Sequence, residues 1–313
     1  MTNAIRSILL LGALALPLSG QGKTLAVGSP ADAQMSAVVL DSAASLYRDA
    51  VQRGELVGAV VFVARNGTIV MHEAHGSRNR EAALPMEKST LFRMASNTKP
   101  VVATAAAILV ERGKLRYDDP VSKYIPSFGT GASGAIRVHD LLTHTSGLRI
   151  NSLFLDPPLE KPTLQLEAAR FGGVGPKEPV GAEYSYSNPG YNTLGAIIEI
   201  ASGKPLDRFL DEEIYDRLGM GDTYHHETAE TLGKKLARMG AVYYRRDSTT
   251  RQWIPGWKPG DAPTVPFVRA SGGLISTAAD YALFLQTFLN GGRYGDVRVI
   301  SATNSGRIPK RSA

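Results

Sequence analysis

Two β-rich runs, Ala59 to Arg65 and Thr68 to Ala74, are separated by nothing but Asn66-Gly67. Both turn residues tolerate positive φ, so the pair reads as a type I′ turn and the runs as a hairpin. A lone hairpin is at best marginally stable in water and needs a covering layer. The neighbouring segments offer helices. From Gln34 to about Arg53, apolar residues (Val38, Val39, Leu40, Ala43, Ala44, Leu46, Tyr47, Ala50, Val51) recur at helical spacing. Val101 to Val110 is an alanine-rich helix closed by Gly113, too short and too closely flanked by charge to span a membrane. Pro189 to Ala201 reads as a helix with Asn188 as N-cap, proline in the first turn and Gly203 at the end. Another runs from Pro205 to Leu218 and stops at Gly219, and Thr277 with Asp280 forms a carboxylate capping box for a helix ending at Leu289. The long Pro- and Gly-containing stretch from Ile150 to Gly181 reads as a lid or wall over a site.

Charge narrows the partner classes. The formal net charge is +6, but residues 293 to 313 hold +4 of it and residues 1 to 33 hold +1, leaving +1 for the whole segment 34 to 292. A nearly neutral body has no field for steering anionic partners, so a nucleic-acid partner is not expected. With no cysteine there is no disulfide framework, and 43% hydrophobic residues exclude a disordered chain. Arg6, the apolar run from Ile8 to Leu18 and the small residues after it have the layout of a secretory signal peptide, cleaved after Gly20 or after Ala33. That run is shorter than the ~20 residues of a membrane span, so no stable span is expected after cleavage and the mature protein is expected in the periplasm or secreted.

The chemistry begins at Ser96-Asn97-Thr98-Lys99. Three residues apart on a helical turn, the hydroxyl and the amine share one face. A serine hydroxyl needs a neighbouring base, and a lysine in a mostly dry pocket has its pKa lowered towards that role. Taken alone, the tetrapeptide is the kind that arises by chance in many chains and reads as a cap plus a solvated lysine. The second element is Tyr186-Ser187-Asn188, placed before the helix at Pro189, where residues two apart in an extended segment project the same way. A phenol beside a cationic lysine ionises more readily and can shuttle a proton, while the carboxamide orients a carbonyl. Asp140, His144 and Ser146 contain the residue types of a catalytic triad, but no nucleophile elbow accompanies them and a triad is not expected. His72-Glu73-Ala74-His75 lacks the spacing of a zinc helix and reads as surface strand; His225-His226-Glu227 reads as loop.

The stretch Leu91-Phe92-Arg93-Met94-Ala95-Ser96-Asn97-Thr98-Lys99-Pro100, then Leu109 to Leu115 and Asp119 to Pro126, closely resembles the β-lactamase-related serine hydrolases, which include class C β-lactamases, family VIII carboxylesterases and penicillin-binding peptidases. The resemblance continues through Leu141 to Leu148, Tyr186 to Tyr191, Leu194-Gly195, and Gly272-Gly273-Leu274-Ile275-Ser276-Thr277 with Asp280. It implies a β-lactamase/transpeptidase-like α/β (α+β) fold: an antiparallel sheet flanked by helices plus an all-helical lobe. It further implies Ser96 as the acylated nucleophile, Lys99 as its base partner, Tyr186 as the second proton-transfer group and Asn188 as a substrate-orienting residue. The implied substrate is a small ester, a β-lactam or a peptide-like amide, and no metal or organic cofactor is implied.

One part of the family pattern is not found. The Lys-Thr-Gly or His-x-Gly motif, which the resemblance places on a late strand edging the site, has no counterpart after Gly292. The expectation is a serine hydrolase domain over 34–300 lacking its C-terminal strands, followed by a basic tail over 301–313, with the hairpin left exposing an edge. Loss of an oxyanion donor with that strand would lower turnover about 100- to 1000-fold.

Overall fold

The computed structural model describes residues 22–151, 153–226, 228–245 and 252–305. The anticipated signal segment up to Gly20 and the last eight residues of the basic tail lie outside the described residues. In chain order the elements are β1 (Ala26–Val27), α1 (Ala37–Gln52), β2 (Gly58–Arg65), β3 (Thr68–Asn79), β4 (Leu84–Pro85), β5 (Phe92–Arg93), α2 (Thr98–Glu111), α3 (Val138–Leu142), α4 (Leu164–Val174) and α5 (Asn188–Ser202). There follow α6 (Leu206–Leu210), α7 (Asp216–Leu218), β6 (Tyr224–His225), α8 (Ala229–Leu232), β7 (Tyr243–Arg245), β8 (Trp253–Pro255), β9 (Leu274–Ser276), α9 (Ala278–Leu289), β10 (Arg293–Tyr294), β11 (Val297–Arg298) and α10 (Ala302–Ser305).

The hairpin forms as the turn residues dictate. Asn66 and Gly67 take φ of 54° and 87°, and Arg65 pairs with Thr68 across the two-residue loop. The register slips between Val63 and Ala64, a bulge that bends the ribbon. On its other side β3 pairs with the short strands β1 and β4, whereas among the described residues no strand pairs with the outer edge of β2. Helix α1 covers one face, setting Leu40 and Ala44 on Met71, Val61 and Val63. Its buried stripe is narrower than its apolar pattern: Val38, Val39 and Leu46 are exposed. The helix meets the hairpin along one seam only.

The main core lies among the helices. Helix α2 is buried from Val101 to Leu109 apart from half-buried Ala103, and α5 is buried from Pro189 to Ile198. The two pack together, with α3 and α4 against α5. Gly195 makes this approach work, because a Cβ there would stand 2.5 Å from the Ala270 Cβ. A separate three-stranded sheet, β5-β9-β6, pairs Arg93 with Ile275 and His225 with Leu274 behind the segment that carries Ser96.

Several local expectations are corrected. The stretch from Ile150 to Gly181 is not structureless: α4 forms inside it, capped by Thr163, whose hydroxyl accepts from Leu166 N. Ser187, not Asn188, caps α5, because its hydroxyl accepts from Gly190 N while the Asn188 side chain is used elsewhere. Thr277 does cap α9, but the Asp280 carboxylate turns to Asp222 N and Thr223 Oγ1 instead of closing the capping box. A π-helical turn, Asp211–Tyr215, interrupts the helix expected over Pro205 to Leu218. His225 is a buried strand residue, and His75 is not open surface, since its ring stacks over Tyr47.

Candidate active site

Strand β5 delivers the chain to the site. Met94 N donates to Leu274 O, and Ala95 then takes φ 47°, a left-handed conformation unfavourable for a residue with a Cβ. That turn starts a helical segment with Ser96 exposed at its first turn and Lys99 one turn on, almost fully buried. Thr98 ties the same turn to β9, accepting from Leu274 N and donating to Ala95 O.

Lys99 Nζ donates to three oxygens: Ser96 Oγ at 3.1 Å, Asn188 Oδ1 at 2.9 Å and Ser271 O at 2.7 Å. Two of these are carbonyl oxygens, which can only accept. As a free amine Lys99 would keep its two N–H groups on them, leaving its lone pair to point at Ser96 Oγ. The Tyr186 hydroxyl reaches the same oxygen from the open side at 2.6 Å. The Lys99 ammonium also sits 4.5 Å from the Tyr186 ring centroid. All four residues singled out from sequence thus meet at one point.

The electrostatics favour proton traffic. Burial lowers the Lys99 pKa, and the Arg269 charge pushes the same way against the opposing influence of Tyr186. For Tyr186 burial resists ionisation, yet the neighbouring Lys99 and Ser96 outweigh it and its pKa falls. Tyr191, also beside Lys99, goes the opposite way: burial pushes it up to about 12, and its hydroxyl donates to Leu142 O. Position in the site, not residue type, separates the two phenols.

The Ser271 carbonyl was invisible to side-chain reasoning. It belongs to the turn from Arg269 to Gly273, held by Asn192 Oδ1, which accepts from Ser271 N, and by His225 Nε2, 3.0 Å from Arg269 O. Of the paired glycines Gly273 is the one the turn demands, because its clash is with backbone and a buried ring, whereas the Arg269 guanidinium beside Gly272 can swing away. A Cβ at Gly272 would lie 3.0 Å from Arg269 Nη1, and one at Gly273 would lie 2.9 Å from Arg269 O and from His225 Cδ2.

No triad forms at the Asp140 turn. Asp140 accepts from Arg137 N and Thr145 Oγ1, Ser146 Oγ faces Leu148 N, and His144 Nδ1 accepts from Ser187 N. Among the described residues no three metal-ligating side chains converge, and no helix is long and apolar enough to cross a membrane.

Fold and site together describe a serine hydrolase of the β-lactamase/transpeptidase type. A family profile described as beta-lactamase matches residues 43–309, and the chain belongs to that family. It is 36% identical over 207 residues to esterase EstB of Burkholderia gladioli, covering 61% of this chain and 52% of the esterase. It is 32% identical over 289 residues to protein Rv1367c of Mycobacterium tuberculosis, covering 84% of this chain and 69% of that protein. Among solved structures, EstCE1, a hydrolase with promiscuous acyltransferase activity, superposes with a TM-score of 0.72 at 22% identity, over 85% of this chain and 75% of that one. This last likeness is one of fold.

Proposed function

We propose that the chain hydrolyses carboxylic esters through a covalent acyl-enzyme on Ser96. The carrying observation is the convergence of Lys99 Nζ and the Tyr186 hydroxyl on Ser96 Oγ, with the other Lys99 contacts taken by two carbonyl oxygens. In acylation, neutral Lys99 takes the Ser96 proton as Oγ attacks the ester carbonyl carbon. The tetrahedral adduct collapses with cleavage of the C–O bond, and the Tyr186 hydroxyl protonates the departing alkoxide. Lys99 returns its proton to Tyr186. A water molecule, deprotonated by the same pair, then attacks the acyl carbon; the bond from that carbon to Ser96 Oγ breaks, the pair returns the proton to Oγ, and the carboxylic acid leaves. Asn188 acts beside them by holding Lys99 and orienting the substrate carbonyl.

The likeness to an esterase over 61% of the chain supports the ester reading. β-Lactams and peptide-like amides would enter by the same acylation step. The layout of residues 1 to 20 supports export to the periplasm or beyond. Wild type and Ser96→Ala are to be incubated with a short-chain nitrophenyl ester, with a chromogenic cephalosporin and, for mass spectrometry of the intact protein, with a penicillin. Ester turnover by wild type alone supports the proposal. Equal rates in both proteins remove Ser96 from the mechanism, and a persistent penicillin adduct on Ser96 without turnover favours a penicillin-binding role.

A further inference from the structure

We propose that His144 is the positioning residue of the site, pinning the segment that carries Tyr186 and Asn188. The inference rests on Tyr186 acting as proposed above. Ser185 N donates to His144 O at 2.8 Å, and Ser187 N donates to His144 Nδ1 at 3.0 Å. The two anchored amides flank Tyr186. In an extended segment amides two residues apart point to the same side, so His144 acts as a one-residue sheet partner, its ring nitrogen standing where a second carbonyl would be. A left-handed backbone at His144, φ 60°, accompanies this use of carbonyl and side chain together.

The ring also restrains the phenol directly. It lies 4.6 Å from the Tyr186 ring centroid at an interplanar angle of 30° and 5.0 Å from that of Tyr191 at 35°, with Tyr184 edge-on at 5.6 Å. Ser187 is the N-cap of α5, so the amide bonded to His144 also fixes where Asn188 begins the helix and presents Oδ1 to Lys99. One imidazole therefore sets both partners of the nucleophile and its lysine. The arrangement requires Nδ1 to be an acceptor, and so a neutral ring protonated on Nε2. Burial and the nearby Lys99 charge favour that form.

Two substitutions separate acceptor from ring. His144→Asn keeps an acceptor on Cγ and tolerates the left-handed backbone; His144→Phe keeps a ring and removes the acceptor. Each is compared with wild type, Ser96→Ala and Tyr186→Phe by thermal melting, by active-site counting with a fluorophosphonate probe, and by ester kinetics per counted site. Tyrosinate absorbance against pH, with the Tyr186→Phe curve subtracted, reports the placement of Tyr186 beside Lys99 without any reference to turnover.

The expected result is a kcat per counted site reduced on the order of 100-fold in His144→Phe, as for a misplaced reacting group, with KM nearly unchanged. The Tyr186 ionisation should move to higher pH in that variant, and His144→Asn, which keeps the acceptor but gives up the ring contact, should fall between wild type and His144→Phe in both readouts. A wild-type tyrosinate curve in His144→Phe overturns the proposal. So does an equal loss per site in both variants, which marks a merely structural role. Undiminished labelling of Ser96→Ala instead overturns the proposed function, and the tyrosinate curves still decide the role of His144.

Discussion

Lys99 Nζ lies closer to the main-chain oxygen of Ser271, at 2.7 Å, than to the hydroxyl of Ser96, at 3.1 Å. The amine is gripped by a turn over 170 residues away in sequence, and the hydroxyl is its looser partner. Replacing Asn188 by aspartate would upset this balance. An anionic acceptor favours the charged lysine, so its pKa rises and the free base becomes scarcer at neutral pH. The alkaline-rising limb of kcat/KM for a nitrophenyl ester is expected about 1 to 3 pH units higher in Asn188→Asp. An unmoved profile would place the essential base elsewhere.

Ser96→Ala removes an exposed hydroxyl from a helix start that Thr98 and β9 hold independently. Melting should be nearly unchanged, while ester turnover falls by on the order of 10⁴-fold or more. Calorimetry and steady-state kinetics on one preparation check both halves.

His144 and His225 are buried neutral imidazoles, each with a pKa held down at about 4, by burial first and then, for His144, by the Lys99 charge. Unfolded histidine binds protons near pH 6.5. Between that value and about 4 the unfolded chain binds more protons than the native one, so stability falls as pH drops through this window. Tyr184, Tyr186, Tyr191 and Lys99 face His144 and carry no carboxylate to offset it. Asp211, raised to about 6 by burial and then by Asp207 and Asp216, opposes the trend by favouring the native state as pH falls. Thermal melts from pH 8 to 4 should show a net decline, shallower in His225→Gln, which keeps an N–H donor for Arg269 O without titrating. A flat profile in wild type would contradict the assignment.

Residues 22 to 33 are bonded into the body. Gly22 N donates to Gly295 O, Leu25 N to the Tyr294 hydroxyl, β1 pairs with β3, and Ala33 is fully buried. A chain beginning at Gln34 is therefore expected to melt several degrees lower than one beginning at Gln21. Equal melting temperatures would make the segment dispensable.

At Gly195 even a methyl group would meet Ala270, within the turn that presents Ser271 O. Gly195→Ala should cost about 1–3 kcal/mol, measured by denaturant unfolding, and should lower kcat as the turn shifts. A stability change without a kinetic one would show that the turn absorbs the strain locally.

Much of this was legible in the chain. Asn66-Gly67 declared its hairpin because few dipeptides accept two successive positive φ values, and Ser96, Lys99, Tyr186 and Asn188 stood out because several motifs around them follow one family's order, which neither short motif conveys alone. Helix α4 was hidden by Pro157, Pro158 and Pro162 before it and by Gly172 and Gly173 within it, breakers that its packing on α5 overrides. Ser187 and Asn188 are both good caps, and the choice turned on a long-range bond from Lys99 that local sequence does not encode. The Ser271 acceptor left almost no mark because every residue has a carbonyl; the close quarters at Gly273 are its one trace.

The left-handed backbone at Ala95 bears on where conformational strain can act. No bond at that residue is made or broken in acyl transfer. A torsion kept unchanged through free enzyme, tetrahedral adduct and acyl-enzyme contributes equally to each, so its energy cancels from every barrier between them. It is a fixed charge on the folded state that secures the direction of an oxygen, and it supplies no driving force to the reaction that oxygen undertakes.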